Sequence, residues 1–136
     1  GKPAGHEEKS ASESGPRWLI AQVGRDGLAP EVEGLAIYPT GATSGVLIAS
    51  CQGKGWFAMF DREPPHRPLG TFRVGEGDGV DGVSGTDGVE AVGVSLGAAF
   101  PRGVFIAQDN ENEGDDGPRQ NFKVVAWERV ADLLGR

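Results

Sequence analysis

The feature that most constrains this chain is a repeat. Three short stretches occur twice in the same order. The first copy runs Glu33-Gly34-Leu35, then Gly45-Val46-Leu47-Ile48-Ala49, then Phe57-Ala58-Met59-Phe60-Asp61-Arg62. The second runs Asp87-Gly88-Val89, then Gly103-Val104-Phe105-Ile106-Ala107, then Phe122-Lys123-Val124-Val125. Gly34 lies 54 residues before Gly88, and Ala49 lies 58 before Ala107. The stretches are short, and the apolar ones are rich in β-branched and aromatic residues, so they read as strands. Each copy therefore predicts an antiparallel unit that opens on an acid-Gly pair.

Arg17–Val23, Glu33–Pro39, Val46–Cys51, Trp56–Asp61, Thr71–Val74, Val89–Ser95, Val104–Gln108 and Phe122–Trp127 are the expected strands. Glu128–Leu134 carries Val130, Leu133 and Leu134 at helical spacing and predicts one or two helical turns. Gly (23) and Pro (9) punctuate the chain between these runs, which favours an all-β fold with many turns. Four-stranded units at roughly 40–50 residues are the signature of propeller blades. Two blades do not close a ring, since propellers need about 4–8. The chain is thus expected to be part of a larger protein or assembly. Residues 1–16, small, polar and charged, read as a flexible lead-in, and residues 17–136 as a partial propeller domain. In this scheme Trp18, Trp56, Trp127, Phe57, Phe60, Phe105 and Phe122 fill the space between blades. Tyr38 and Phe72 are read the same way.

The net charge is −7, and half of the twenty acids lie between Glu76 and Asp116, where the only basic residue is Arg102. No basic patch with interleaved aromatics is present, so nucleic acid is not an expected partner. No apolar run approaches the ~18 residues of a membrane span. The single cysteine, Cys51, ends an apolar run and reads as a small core residue.

The acids fall at equivalent places on the repeat. Glu33 and Asp87 open the innermost strand of each unit, and inner strands start near a propeller's central channel. Asp81 precedes the second pair. Asp109, Glu111 and Asn112 follow the apolar run Val104–Ala107, with Glu113, Asp115 and Asp116 beyond. Converging carboxylates repel one another unless a cation sits among them, and hard cations such as Ca²⁺ take carboxylate and amide oxygens. Gly75–Gly88 supplies a flexible loop beside them. It lacks the alternating acids and the glutamate at position twelve of a helix–loop–helix calcium loop, and it is not a nucleotide-binding glycine loop, since no helix follows it.

Five stretches carry a resemblance: Val32–Pro39 (VEGLAIYP), Val46–Gly53 (VLIASCQG), Asp81–Glu90 (DGVSGTDGVE), Phe100–Asn112 (FPRGVFIAQDNEN) and Gln120–Asp132 (QNFKVVAWERVAD). Together they resemble the C-terminal third of the β-propeller phytases, calcium-dependent phosphatases of inositol hexakisphosphate, over roughly residues 17–135. The resemblance implies a six-bladed propeller with several Ca²⁺ ions. It implies that Glu33 and Asp87 hold the catalytic, phosphate-binding ions. Asp81, Asp109, Glu111 and Asn112 match the ligands of neighbouring, more structural ions. Phytate and the remaining blades are the implied partners, and a secreted or periplasmic location the implied setting. Five positions depart from the family pattern: Glu31 stands where Asp is frequent, Gly85 and Glu90 where Asp is usual, Asn110 where Gly is usual, and Cys51 where the family has Ser. The family's phosphate-gripping basic residues have no match here. Lys54 and Lys123 read as ordinary solvated lysines, and the chain by itself is expected to be inactive. The alternative reading is a non-catalytic, Ca²⁺-stabilised binding or structural module.

Overall fold

The computed structural model describes residues 18–112 and 119–135. The acidic tip at Glu113, Asp115 and Asp116 and the lead-in 1–16 lie outside the described residues. Among the described residues are seven strands and one α-helix: β1 (Val32–Pro39), β2 (Gly45–Cys51), β3 (Trp56–Asp61), β4 (Pro68–Phe72), β5 (Val89–Val92), β6 (Val104–Asn112), β7 (Arg119–Ala126) and α1 (Trp127–Leu133). They form two antiparallel meanders, a four-stranded sheet ordered β1-β2-β3-β4 and a three-stranded sheet ordered β5-β6-β7. The two copies of the sequence repeat are these two sheets.

Alternation along the strands explains the packing. In the first sheet Ala36, Tyr38, Val46, Ile48, Phe57, Met59 and Phe72 form one face. They meet Ala91, Phe105 and Ala107 of the second sheet in a single core, closed by Trp127, Val130 and Ala131 of α1. Phe57, Phe72 and Phe105 form an aromatic triangle with centroids 5.0–5.3 Å apart. The Tyr38 and Trp127 rings stack at 3.6 Å, 6° from parallel. The opposite face of the first sheet is also apolar: Ala49, Cys51, Ala58 and Phe60 pack under Leu28 and Ala29. Cys51 is fully buried, with the Ala29 N–H donating to its sulfur at 3.3 Å. It is a core residue, as its flanks suggested.

Several expectations change: β5 ends at Val92, short of Ser95, and β7 starts at Arg119, ahead of Phe122. Residues 18–23 form no strand, and Trp18 is 75% exposed. An outer strand needs a partner to pair with, and among the described residues no strand pairs with this segment. Phe122 is 70% exposed. It faces away from the first sheet, because pairing of Gln108 with Phe122 and of Ala107 with Lys123 turns Lys123, not Phe122, inward. β4 starts earlier than expected, at Pro68. As the first residue of an edge strand, that proline needs no ladder donor. β6 continues through Asp109 to Asn112, so the polar run pairs with β7 instead of ending the strand.

The Tyr38 hydroxyl donates to the Arg102 carbonyl at 2.7 Å. Burial pushes this phenol above its ordinary value of 10.0, against the opposing pull of Arg102 and with help from Glu128. The unfolded chain therefore ionises first. This contribution to stability is whole below pH ~10 and is lost as pH rises from there through the folded value. Tyr38 is the sole tyrosine, so ultraviolet titration reads it alone. Its ionisation is expected to lag behind that of a free tyrosine and to coincide with alkaline unfolding, and Tyr38→Phe is expected to flatten that alkaline loss.

Candidate metal and phosphate site

Antiparallel order brings one set of strand ends together. β1 and β5 start where β2 and β6 finish, and β7 starts there too. The loop 81–88 runs between the two sheets at this end and is tied to both. On one side the Ser50 hydroxyl donates to the Thr86 carbonyl at 2.7 Å, a buried bond. The Gln52 amide donates to Asp87 Oδ1. On the other side the Asp87 N–H donates to Gln108 Oε1 at 2.8 Å, the Gln108 N–H to the Gly88 carbonyl at 2.9 Å, and the Asn110 N–H to the Ser84 carbonyl at 2.9 Å.

The two acid-Gly pairs meet here. A register shift between Val32 and Leu35 makes a bulge at Glu33-Gly34, a device that re-aims side chains at the end of a strand. A Cβ at position 34 would lie 2.5 Å from the Asp87 carbonyl oxygen and 3.0 Å from the Val89 backbone nitrogen. Only glycine lets the two inner strands approach so closely. Glu33 and Asp87 are both exposed on this rim. Gln52, which the sequence reading overlooked, adds an amide whose oxygen and nitrogen exchange places by a simple flip. Two carboxylates and an amide oxygen suit a hard cation, although Ca²⁺ takes 6–8 oxygens and this rim supplies only part of such a shell. Among the described residues no three His, Cys, Asp or Glu side chains form a metal-holding group.

Deeper, on the face of the second sheet that meets the first, lies a different cluster. Asp109 is fully buried. Its Oδ1 accepts from the Ser84 N–H (3.0 Å), the Ser84 hydroxyl (3.3 Å) and the Glu111 N–H (3.3 Å). Its Oδ2 lies 2.7 Å from Lys123 Nζ. The same ammonium reaches Asn121 Oδ1 at 2.8 Å, Asp81 Oδ1 at 2.9 Å and Asn112 Oδ1 at 3.0 Å. Lys123, expected to be solvated, is 7% exposed and sits at the centre of the oxygens. The signal for it was alternation: Lys123 shares a face with Val125, which packs against the core. Burial alone would raise the Asp109 carboxyl. The Lys123 ammonium and the Ser84 and Glu111 N–H groups outweigh that and hold it below the usual carboxylate range. Burial likewise works against the charged Lys123, but Asp109 and Asp81 outweigh it and hold its pKa above the ordinary value.

The structure thus brings Asp81, Asp109 and Asn112 together around an ammonium, and places Glu33 and Asp87 on the neighbouring rim. Glu111 contributes its backbone N–H to Asp109, and its side chain is exposed.

Gly85 sits at φ +55°, and a Cβ there would lie 3.0 Å from the Asn110 Cβ. An acid at 85 therefore competes with Asn110 for space in a left-handed backbone. Gly85→Asp is expected to cost about 1–3 kcal/mol in thermal unfolding. Gly85→Asp with Asn110→Gly is expected to recover part of it, while no loss in the single variant would contradict this packing.

Residues 8–136 match the family model described as Phytase. A 3-phytase of Bacillus subtilis (strain 168) is 41% identical over 111 residues, covering 81% of this chain and 29% of that protein. The chain thus spans under a third of the length of that relative.

Proposed function

The chain belongs to the phytase family, and on that premise we propose that it supplies the cation-holding end of an enzyme that hydrolyses phosphate monoesters of myo-inositol hexakisphosphate. In this reading the two sheets are successive blades of a six-bladed propeller. The remaining blades cover the exposed Leu35 and Ile37 face on one side and the Phe122 and Val124 face on the other. A groove of about 730 Å³ runs along β7, the strand at one edge of the second sheet, between Val80, Phe122 and Leu133. The absent fourth strand of that blade would lie there. A secreted or periplasmic setting belongs to the same proposal.

The observation that carries the reading is the close approach of the two acid-Gly backbones, with Gly34 against the Asp87 carbonyl. Phytate is a polyanion, and an unscreened carboxylate 4 Å from a phosphate charge costs about 4 kcal/mol at an effective dielectric of 20. Calcium bound at this rim would supply the positive charge that receives phosphate oxygens and orients a water. Glu33 and Asp87 would hold it, with Gln52 turning its amide oxygen inward. The bulge at Glu33-Gly34 and the ties of loop 81–88 to Ser50 and Gln108 support this reading, since they bring the backbones of the two acid-Gly pairs to one end of the sheets. Lys123 is spent on Asp81 and Asp109, so in this proposal the groups that grip phosphate come from other parts of the protein.

The test is phosphate release from phytate by the complete protein. Chelation is expected to abolish release and added calcium to restore it, whereas the 136-residue chain alone is expected to release none. Release that persists in chelator contradicts calcium dependence. Calcium-stabilised protein with no release at all favours the non-catalytic module.

A further inference from the structure

Four side-chain oxygens surround Lys123 Nζ at 2.7–3.0 Å, contributed by loop 81–88, by β6 and by β7. These are charge-assisted hydrogen-bond distances. Calcium draws its oxygens in to about 2.3–2.6 Å, so the cage as built is too wide for the ion and its centre is taken. The buried acid of the cage has no capacity left: Asp109 accepts three donors on Oδ1 and the ammonium on Oδ2, the roughly four sites a carboxylate offers. The amine is also fixed at its other end, because Lys123 lies within β7 opposite Ala107.

We propose that Lys123 is the resident cation of this cage. Its tethered ammonium holds Asp81, Asp109, Asn112 and Asn121 together in place of a metal ion. It thereby pins loop 81–88, which carries Asp87, to the β6–β7 hairpin. The role resembles that of a structural metal, but the charge is covalently attached and does not respond to chelators. Divalent cations are confined to the rim at Glu33 and Asp87.

The test uses unfolding of the full chain, with calcium and with chelator, so its readout is independent of phosphate release. Its failure would leave the proposed reaction standing, and failure of that reaction would leave this assignment standing. Asp109→Asn is expected to lower the melting temperature by the same amount in both solutions. Lys123→Met is expected to lower it strongly in chelator, and to gain a calcium-dependent recovery larger than any calcium effect on the parent, because the vacated cage then offers four oxygens to a divalent ion. Combining the two changes is expected to unfold no earlier than Lys123→Met alone, since the lysine's partner has been neutralised. A loss from Asp109→Asn that vanishes in chelator would overturn the proposal, because a metal would then be the partner of Asp109. Losses from the two changes that simply add would overturn it as well.

Discussion

Trp127→Ala is expected to destabilise the protein by about 3–5 kcal/mol, the range for truncating a large buried aromatic. Trp127 is 2% exposed and opens α1, where its backbone N–H donates to the Gly103 carbonyl at 3.0 Å, a bond that alanine keeps. Its ring stacks on Tyr38 of β1, and Val130 and Ala131 sit in the same core. The residue therefore joins three elements at once: the first sheet through Tyr38, the second through Gly103 ahead of β6, and the helix on which it sits. Removing the indole leaves a cavity that two sheets and a helix would have to close together. Total stabilities are about 5–15 kcal/mol, so this one change removes a large share. Trp56, half-buried on the other face, donates to the Gly27 carbonyl and lies under Arg73. Trp56→Ala is expected to cost clearly less. Urea unfolding of the two variants checks the ranking. A loss below ~1 kcal/mol for Trp127→Ala would mean that the helix is not part of the core.

Asp87→Asn and Glu33→Gln are each expected to lower phytate turnover by the complete protein by about 10²–10³-fold, the usual cost of removing one preorganised electrostatic group. Both substitutions keep size and hydrogen bonding while deleting charge. Both side chains are exposed, so melting temperature in calcium-free solution is expected to change little. The calcium concentration needed for half-maximal activity is expected to rise in each. Asp132→Asn, an exposed change on α1, is the control and is expected to leave turnover unaltered. Equal turnover in Asp87→Asn and the parent would remove the rim from the reaction.

Most strands were legible because their apolar residues recur in a pattern that a half-buried sheet requires. β3 matches its expected bounds, and α1 is displaced by one residue. Two misreadings share one cause. Polarity within Asp109–Asn112 read as the end of a strand, yet pairing of Asp109 with Asn121 carries β6 onward. Local composition reports what water tolerates, while the ladder reports what a neighbouring strand offers. Lys123 was misread for the same reason. A lysine is solvated unless several oxygens meet it, and those oxygens come from segments 42, 14, 11 and 2 residues away along the chain. The acid-Gly pairs were legible as equivalent positions, but their contact depends on Gly34 clearing the backbone at 87, a steric fact visible only in three dimensions.

The measurement that bears most directly on this account is anomalous diffraction from crystals of the complete protein grown with calcium or a lanthanide. The account predicts a cation about 2.3–2.6 Å from carboxylate oxygens of both Glu33 and Asp87, with Lys123 Nζ still among Asp81, Asp109, Asn112 and Asn121. A bare rim, with the metal seated on Asp109 and Lys123 swung away, would contradict it.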